Sequence, residues 1–541
     1  MTSLDLVKTG NEQFKEQYPS IMKKIKNKKL QEFDPKISEI NQVYEIIKKY
    51  IIDKKRKIYG GFALDMLLTE KNKDYALYDE TDVPDIDFYS PEPLIDLVAM
   101  CNKIYDAGFK PVIGQEAQHK ETYSIFVNHQ LYCDISYMPS NIYYKTRFIQ
   151  LNGFMIIHPW FMMIDYFRMF TDPMISYWRL EKHFSRYLKL QKSYPLPLIQ
   201  KSLSFEPFKN REISEAMNYL FDYLATKSTI LFTGFYTYNY YLYISNYKKY
   251  NGNYDYTFIP YYEVYSTDYI KDGIDILEYI KTLPEAIRNN FSHVENYPFF
   301  QFYGYNTIIY YNDGKDQIPI LYIYSNNKRC IPFKQVDYIK FPNIEKNKFE
   351  INKSKKINIG SFDHNILHGL IILIKVRVDE DNQWNDIIYK YINGIVTFRN
   401  YYLEIKNFSI YSDSIFQGFV VECIGETVLP ERERRLVIEV RKKLGKPYVY
   451  KYEAGVSKNP GNYVFLNSSG NPINLESNKK LLIENLNKKL IDDLEGEEKS
   501  NSDDESELTK PTKSTKLTKP TKSTKPTKLD KVEEKKSEFD E

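Results

Sequence analysis

Apolar positions recur at steps of three and four through Ile37, Ile40, Val43, Tyr44, Ile47 and Ile51, which predicts a helix leading toward Lys57. Lys57-Ile-Tyr then reads as a short strand, broken by Gly60-Gly61, and Phe62 to Leu68 as the start of a further helix. Pro84 to Tyr89 alternates as a strand does, and Leu94 to Gly108 is amphipathic at helical period. Tyr123 to Val127 and Gln130 to Tyr137 read as two strands of a hairpin. From Pro159 to Leu190 the pattern is helical, interrupted near Asp172-Pro173. Residues 1 to about 35 are polar and mixed, and we group 1–54 as a helical N-terminal segment.

The other end reads differently. Leu508 to Lys528 repeats Thr-Lys-Pro-Thr-Lys-Ser after the acidic run Asp503-Asp504-Glu505. Such text lacks the apolar residues that offset ordering entropy, so 481–541 is expected to be a disordered, solvated tail.

Part of the pattern occurs twice. Gly60-Gly-Phe-Ala-Leu-Asp-Met-Leu-Leu is echoed by Thr233-Gly-Phe-Tyr-Thr-Tyr-Asn-Tyr-Tyr, and Pro84-Asp-Ile-Asp-Phe-Tyr-Ser by Pro260-Tyr-Tyr-Glu-Val-Tyr-Ser. Asp172 with Trp178 has a looser counterpart in Asp379 with Trp384. Order is kept while carboxylates are mostly lost, with Tyr261 standing where Asp85 stands. This predicts two copies of one fold, the second without its chemistry. Chance similarity in a chain holding 50 Tyr is the competing explanation.

Composition narrows the partners. The 541 residues exceed one ordinary core, and 42% are hydrophobic. The richness in Ile, Tyr, Lys and Asn is what an AT-rich genome would encode. Net charge is only +3, so any nucleic-acid site must be a local patch. Cys101, Cys133, Cys330 and Cys423 form no close pair, which argues against a disulfide scaffold or zinc ribbon and fits a reducing compartment. The start Met1-Thr-Ser-Leu-Asp-Leu-Val-Lys is no signal peptide, and no apolar run approaches the ~18 residues of a membrane span. A soluble, intracellular protein without a membrane partner is expected.

Three pieces carry candidate chemistry. Gly60-Gly61 sits between strand and helix, where residues without Cβ let backbone approach a phosphate and a helix N-terminus offers free N–H groups. Asp85 and Asp87 alternate with Ile86 and Phe88, so both carboxylates leave one face of a strand, ~6.5–7 Å apart at Cα. Two acids so placed call for a cation, and two divalent ions can clamp the attacking and leaving oxygens of a phosphoryl displacement. Asp134 lies opposite Leu131, Cys133 and Ile135 in the hairpin, a place for a metal ligand or a base toward an attacking hydroxyl. Taken singly, a plain turn, a solvated edge strand and a surface carboxylate explain each piece better. The ordered combination does not reduce to those.

That order, strand, Gly-Gly, helix, DxD strand, helix and hairpin with a third Asp, resembles the nucleotidyltransferase superfamily that includes DNA polymerase beta and the poly(A) polymerases. The resemblance implies an α+β nucleotidyltransferase fold, a mixed sheet with flanking helices. It places a catalytic domain at 55–200 and a degenerate copy at 201–480. It also implies that Gly60 and Gly61 hold a nucleotide triphosphate, and that Asp85, Asp87 and Asp134 bind two Mg²⁺ (or Mn²⁺) ions. One departure is the 23 residues between Gly61 and Asp85, longer than usual, which include Tyr78-Asp-Glu-Thr-Asp82. Tyr59-Gly-Gly-Phe-Ala-Leu-Asp-Met-Leu-Leu, Val83-Pro-Asp-Ile-Asp-Phe-Tyr-Ser and the segment Asp165 to Arg186 resemble the poxvirus and giant-virus poly(A) polymerase catalytic subunits. What that implies is addition of AMP from ATP to an RNA 3′ end, in a viral factory or virion, with a viral processivity partner; pairing of the chain with itself, as a homodimer, is the alternative expected from the general prevalence of symmetric oligomers. Other nucleotidyl transfers, such as CCA addition, oligoadenylate synthesis or a non-RNA acceptor, would use the same triad. A non-catalytic RNA-binding scaffold is the reading from a different class.

Arg179, Lys182, Arg186 and Lys189 sit three or four apart and share a helix face, with Arg168 upstream. Arg179 and Lys182 are candidates for the triphosphate, and Arg168, Arg186 and Lys189 for RNA phosphates. A solvated basic face paired with Glu181 explains them equally well. Asp363-His364 and His368 have metal-compatible spacing, yet Leu367, Leu370 and Ile371 favour a core helix. Tyr236 to Tyr243 reads as partly buried sheet rather than a base-stacking surface.

Overall fold

In the computed structural model the chain is described over residues 3–474, apart from 34, 120, 327–328, 342–348, 444–448, 450, 456–463 and 467–471. The tail expected at 481–541 lies outside the described residues. The mixed N-terminal stretch forms one 30-residue helix, Ser3–Glu32, and the predicted apolar spacing forms Ile37–Asp53, burying Ile40, Val43, Ile47 and Ile51.

Seven strands follow: β1 (Lys57–Tyr59), β2 (Ile86–Ser90), β3 (Val112–Glu116), β4 (Thr122–Val127), β5 (Gln130–Tyr137), β6 (Phe148–Leu151) and β7 (Phe154–Ile157). They run β3-β4-β5-β2-β1-β7-β6 across a mixed sheet, which Lys451–Glu453 extends beside β3. Antiparallel β1–β2 and parallel β2–β5 lie at its centre. Ile86, Phe88, Cys133 and Ile135 are fully buried, and the helix Pro93–Asp106 packs against β2 to β5. The acids that alternate with those apolar residues therefore lie on the other face.

The second sheet contains β8 (Ile230–Thr233), β9 (Tyr262–Ser266), β10 (Phe291–Asn296), β11 (Asn306–Asn312), β12 (Gln317–Ser325), β13 (Ile331–Lys340) and β14 (Glu350–Gly360), with β15 (Cys423–Ile424) on its edge. Its order is β10-β11-β12-β9-β8-β14-β13-β15. Replacing each strand of the first sheet by the one seven places later reproduces this order, and the strand senses agree: β8–β9 antiparallel, β9–β12 parallel, β8–β14 parallel. The helix Phe362–Val378, which follows β14, packs on Pro159–Phe170, which follows β7, and joins the sheets. Phe161, 1% exposed, lies against Phe302 with ring centroids 4.9 Å apart, a burial worth about 2–3 kcal/mol.

Both sheets repeat a small polar device at the same place. Ser90 Oγ donates to Asp96 and accepts from Glu92 N–H; Ser266 Oγ donates to Asp272 and accepts from Asp268 N–H. Each buried carboxylate has a cation, Arg56 Nη2 at 2.8 Å from Asp96 and Lys227 Nζ at 4.0 Å from Asp272. Repetition of order, sense and local bonding makes the sequence echo a fold duplication.

Two expectations need correction. Tyr236 to Tyr243 is helical, within Phe235–Ser245, rather than sheet. It follows β8 and Gly234 as Gly60–Lys71 follows β1, and this topology overrides strand propensity. The buried hydroxyls are satisfied: Tyr236 donates to Ile339 O at 2.8 Å, and Tyr238 accepts from Leu203 N at 3.1 Å. The cysteine argument against disulfides also fails. β13 and β15 pair with Pro332 opposite Cys423, which brings Cys330 and Cys423 together in a disulfide with Cα atoms 5.4 Å apart. They are 93 residues apart, a proximity that only tertiary pairing creates. Among the described residues, no helix is long and apolar enough to cross a membrane.

Candidate active site

Asp87 and Asp134 are directly opposite on the parallel strands β2 and β5, and Asp85 precedes β2 on the same face. One carboxylate oxygen from each lies within 4.8 Å of the others. All three are partly buried, and no Lys or Arg among the described residues forms an ion pair with them. Among the described residues this is the one cluster of three such side chains. Burial, then the charges of Asp85 and Asp134, raises the Asp87 pKa well above the carboxylate range. Burial raises that of Asp134, opposed by a hydrogen bond from Ser124 Oγ at 2.6 Å.

The glycines have separate reasons to be glycine. Gly60 has φ +75°, and an ideal Cβ there would come within 1.9 Å of Asp87 Oδ2. It makes room for the acid as well as opening the helix Gly60–Lys71. At Gly61 a Cβ would come 2.2 Å from the Tyr78 hydroxyl and 3.4 Å from Arg186 Nη1.

That contact is one of several that tie down the long insert. Tyr44 OH donates to Pro84 O, Lys26 pairs with Asp82 at 2.5 Å, and Arg186 Nη2 donates to the Tyr78 hydroxyl at 3.2 Å. Lys189 and Lys192 lie over the Tyr75 ring. Arg186 and Lys189, expected to face RNA, thus also clamp the insert against the helix Leu180–Ser193. Arg168 donates to Asp165 Oδ1 at 3.2 Å. Lys182 and Arg179 are exposed. Partial desolvation, then the charges of Arg186 and Arg179, lowers the Lys182 pKa, with Asp85 and Asp82 pulling it up. Beside them Tyr177 and Trp178 are 70% and 63% exposed. Ser124 is not singled out by the sequence; the available signal was its alternation with Thr122 in a strand paired with that of Asp134.

In the second copy the same register places other chemistry. Glu263 lies opposite Tyr322 as Asp87 lies opposite Asp134, and Tyr261 precedes as Asp85 does. Gly234, φ +64°, repeats Gly60: a Cβ would come 1.9 Å from Glu263 Oε2. Phe235 replaces Gly61, and its ring packs with Tyr261, Trp384 and Phe205, centroids 5.5, 6.3 and 4.9 Å away. The one retained acid faces His368, whose Nε2 is 2.9 Å from Glu263 Oε1. His364 and His368 are buried in the helix Phe362–Val378, as its apolar neighbours predicted.

A mixed sheet carrying three facing carboxylates beside a glycine-led helix defines the class: this is a nucleotidyltransferase. Comparison with known proteins carries that further. The family model described as "Poly(A) polymerase catalytic subunit" matches residues 45–176, which hold Gly60, Gly61 and all three acids. A second, for the C-terminal part of the APMV candidate catalytic subunit, matches 199–484. A candidate poly(A) polymerase catalytic subunit of Acanthamoeba polyphaga mimivirus is 32% identical over 523 residues, 91% of this chain and 87% of that protein. One from African swine fever virus (isolate Pig/Kenya/KEN-50/1950) is 30% identical over 184 residues, 32% of this chain and 38% of the relative. The crystal structure of the Megavirus polyadenylate synthase matches with TM-score 0.73 and 31% identity, covering 86% of this chain and 92% of that one. The chain belongs to the viral poly(A) polymerase catalytic subunit family. It is a poly(A) polymerase, with ATP and RNA as substrates.

Proposed function

We infer that Asp85, Asp87 and Asp134 hold two divalent cations, Mg²⁺ or Mn²⁺, and form the centre of AMP transfer to the RNA 3′ end. The observation carrying this reading is the convergence of three carboxylate oxygens within 4.8 Å, with no cationic side chain paired to them among the described residues. Hard oxygen donors of this kind suit those ions. When bound, the cations supply positive charge to the attacking and leaving oxygens of an in-line displacement. Asp85 and Asp87 would hold the cation at the nucleotide, and Asp134 would also ligate the cation at the attacking hydroxyl.

Around the acids, the Gly60-Gly61 backbone offers N–H groups at a helix start for the triphosphate. Arg186 faces Gly61, and Lys182 lies one helical turn away on the same face. Arg179 and Lys182 supply charge toward the triphosphate, and the exposed rings of Tyr177 and Trp178 beside them offer stacking surfaces toward RNA. The catalytic chemistry belongs to 55–200 and the second copy, 201–480, is inert. Phe235, Tyr261 and Tyr322 stand where the first copy has Gly61, Asp85 and Asp134.

The test offers an oligo(A)-ended RNA to the full chain with each labelled nucleotide and Mg²⁺. A ladder with ATP alone, abolished by chelation, is expected. Equal ladders with all four nucleotides, or a ladder surviving chelation, would contradict the assignment.

A further inference from the structure

The duplication separates what this fold requires from what the reaction requires. Positions alike in both copies include those the fold needs: Gly60 and Gly234 beside an acid, and Ser90–Asp96 and Ser266–Asp272 at a helix start. Positions that changed together serve chemistry that the second copy lost, as Asp85 to Tyr261 and Asp134 to Tyr322 show in register.

One further position changes with them. Ser124 on β4 lies opposite Asp134, whereas Ile308 on β11 lies opposite Tyr322. Ser124 is 5% exposed, and its hydroxyl donates to Asp134 Oδ1 at 2.6 Å. A serine hydroxyl has one hydrogen to give, so this one is committed to the carboxylate. Two residues along, Ser136 Oγ is 2.9 Å from Thr122 Oγ1 and 2.7 Å from the Tyr59 hydroxyl. The second copy has Tyr324, Asn306 and Thr233 at those places. The same sheet thus forms without the hydroxyl ladder, and its retention beside Asp134 needs another reason.

We propose that Ser124 is a positioning residue for AMP transfer: it fixes the carboxylate of Asp134 through one oxygen and turns the other toward the cation site. This rests on the reading of Asp85, Asp87 and Asp134 as metal ligands. Hydrogen bonds to a ligating carboxylate set its orientation, and losing one costs about 10–100-fold in metal affinity or activity.

The experiment compares the full chain with Ser124→Ala, Ser124→Thr and Asp134→Asn. It measures Mn²⁺ binding by titration, AMP transfer against Mg²⁺ concentration, and the melting temperature without metal. Ser124→Ala should raise the half-activating Mg²⁺ concentration about 10–100-fold, leave the KM for RNA unchanged and barely move melting. Ser124→Thr, which keeps the hydroxyl, should restore the metal response. If Asp134→Asn weakens Mn²⁺ binding while Ser124→Ala leaves both metal responses unchanged, the positioning role is wrong and the metal reading stands. A Ser124→Ala loss that Ser124→Thr fails to restore would also overturn the role. Unchanged Mn²⁺ binding by Asp134→Asn would remove the metal reading and this inference together.

Discussion

Asp85→Asn is expected to remove AMP transfer by roughly a thousandfold or more, since losing about 4 kcal/mol of metal-mediated transition-state stabilisation corresponds to that factor. The folded state should be retained. Asp85 precedes β2, lies opposite no β5 residue in the ladder and forms no ion pair among the described residues. Its amide has the same shape with less charge to keep beside Asp87 and Asp134. The check is single-turnover incorporation from ATP with saturating RNA, alongside thermal melting. Transfer within tenfold of the unsubstituted enzyme, at unchanged melting, would remove Asp85 from the mechanism.

Gly60→Ala and Gly234→Ala form the second expectation, a matched pair from the duplication. Both glycines have positive φ, +75° and +64°, and at both a Cβ would come 1.9 Å from a carboxylate oxygen. Each substitution should cost about 1–3 kcal/mol in backbone strain, plus whatever moving the acid requires. Melting should fall by several degrees in both. Their effects on chemistry should separate. Gly60→Ala displaces Asp87 and should abolish transfer in the protein that still folds. Gly234→Ala displaces Glu263 toward or away from His368 and should leave transfer per folded molecule close to normal. Equal activity losses per folded molecule would show that the second copy contributes to the chemistry.

Much of this centre was legible in the chain because its signals are local. Period-two alternation puts Asp85 and Asp87 on one face and sets Asp134 against the apolar face of its hairpin strand, although the parallel β2–β5 pairing that brings Asp134 opposite Asp87 is not local. The echo between Gly60 and Gly234 was readable because both need the same backbone conformation beside an acid. What was not legible depends on distant partners. Arg186 and Lys189 look like a free basic face in sequence, and their hold on Tyr78 and Tyr75 appears only when the insert folds back. Tyr236 to Tyr243 has strand-like composition but takes its helix from the topology after β8. Cys330 and Cys423 meet through the β13–β15 pairing, and Ser124 acquires meaning only opposite Asp134. The same register shows where the copies differ: Phe235 and Tyr261 pack together where the first copy has Gly61 and Asp85.

The most direct test of the metal centre is an anomalous difference map from crystals of the full chain grown with Mn²⁺ and a non-hydrolysable ATP analogue. Manganese peaks are expected between Asp85, Asp87 and Asp134, with the triphosphate reaching Gly60-Gly61, and none at Glu263. An ordered nucleotide whose manganese lies away from those three acids would contradict that assignment.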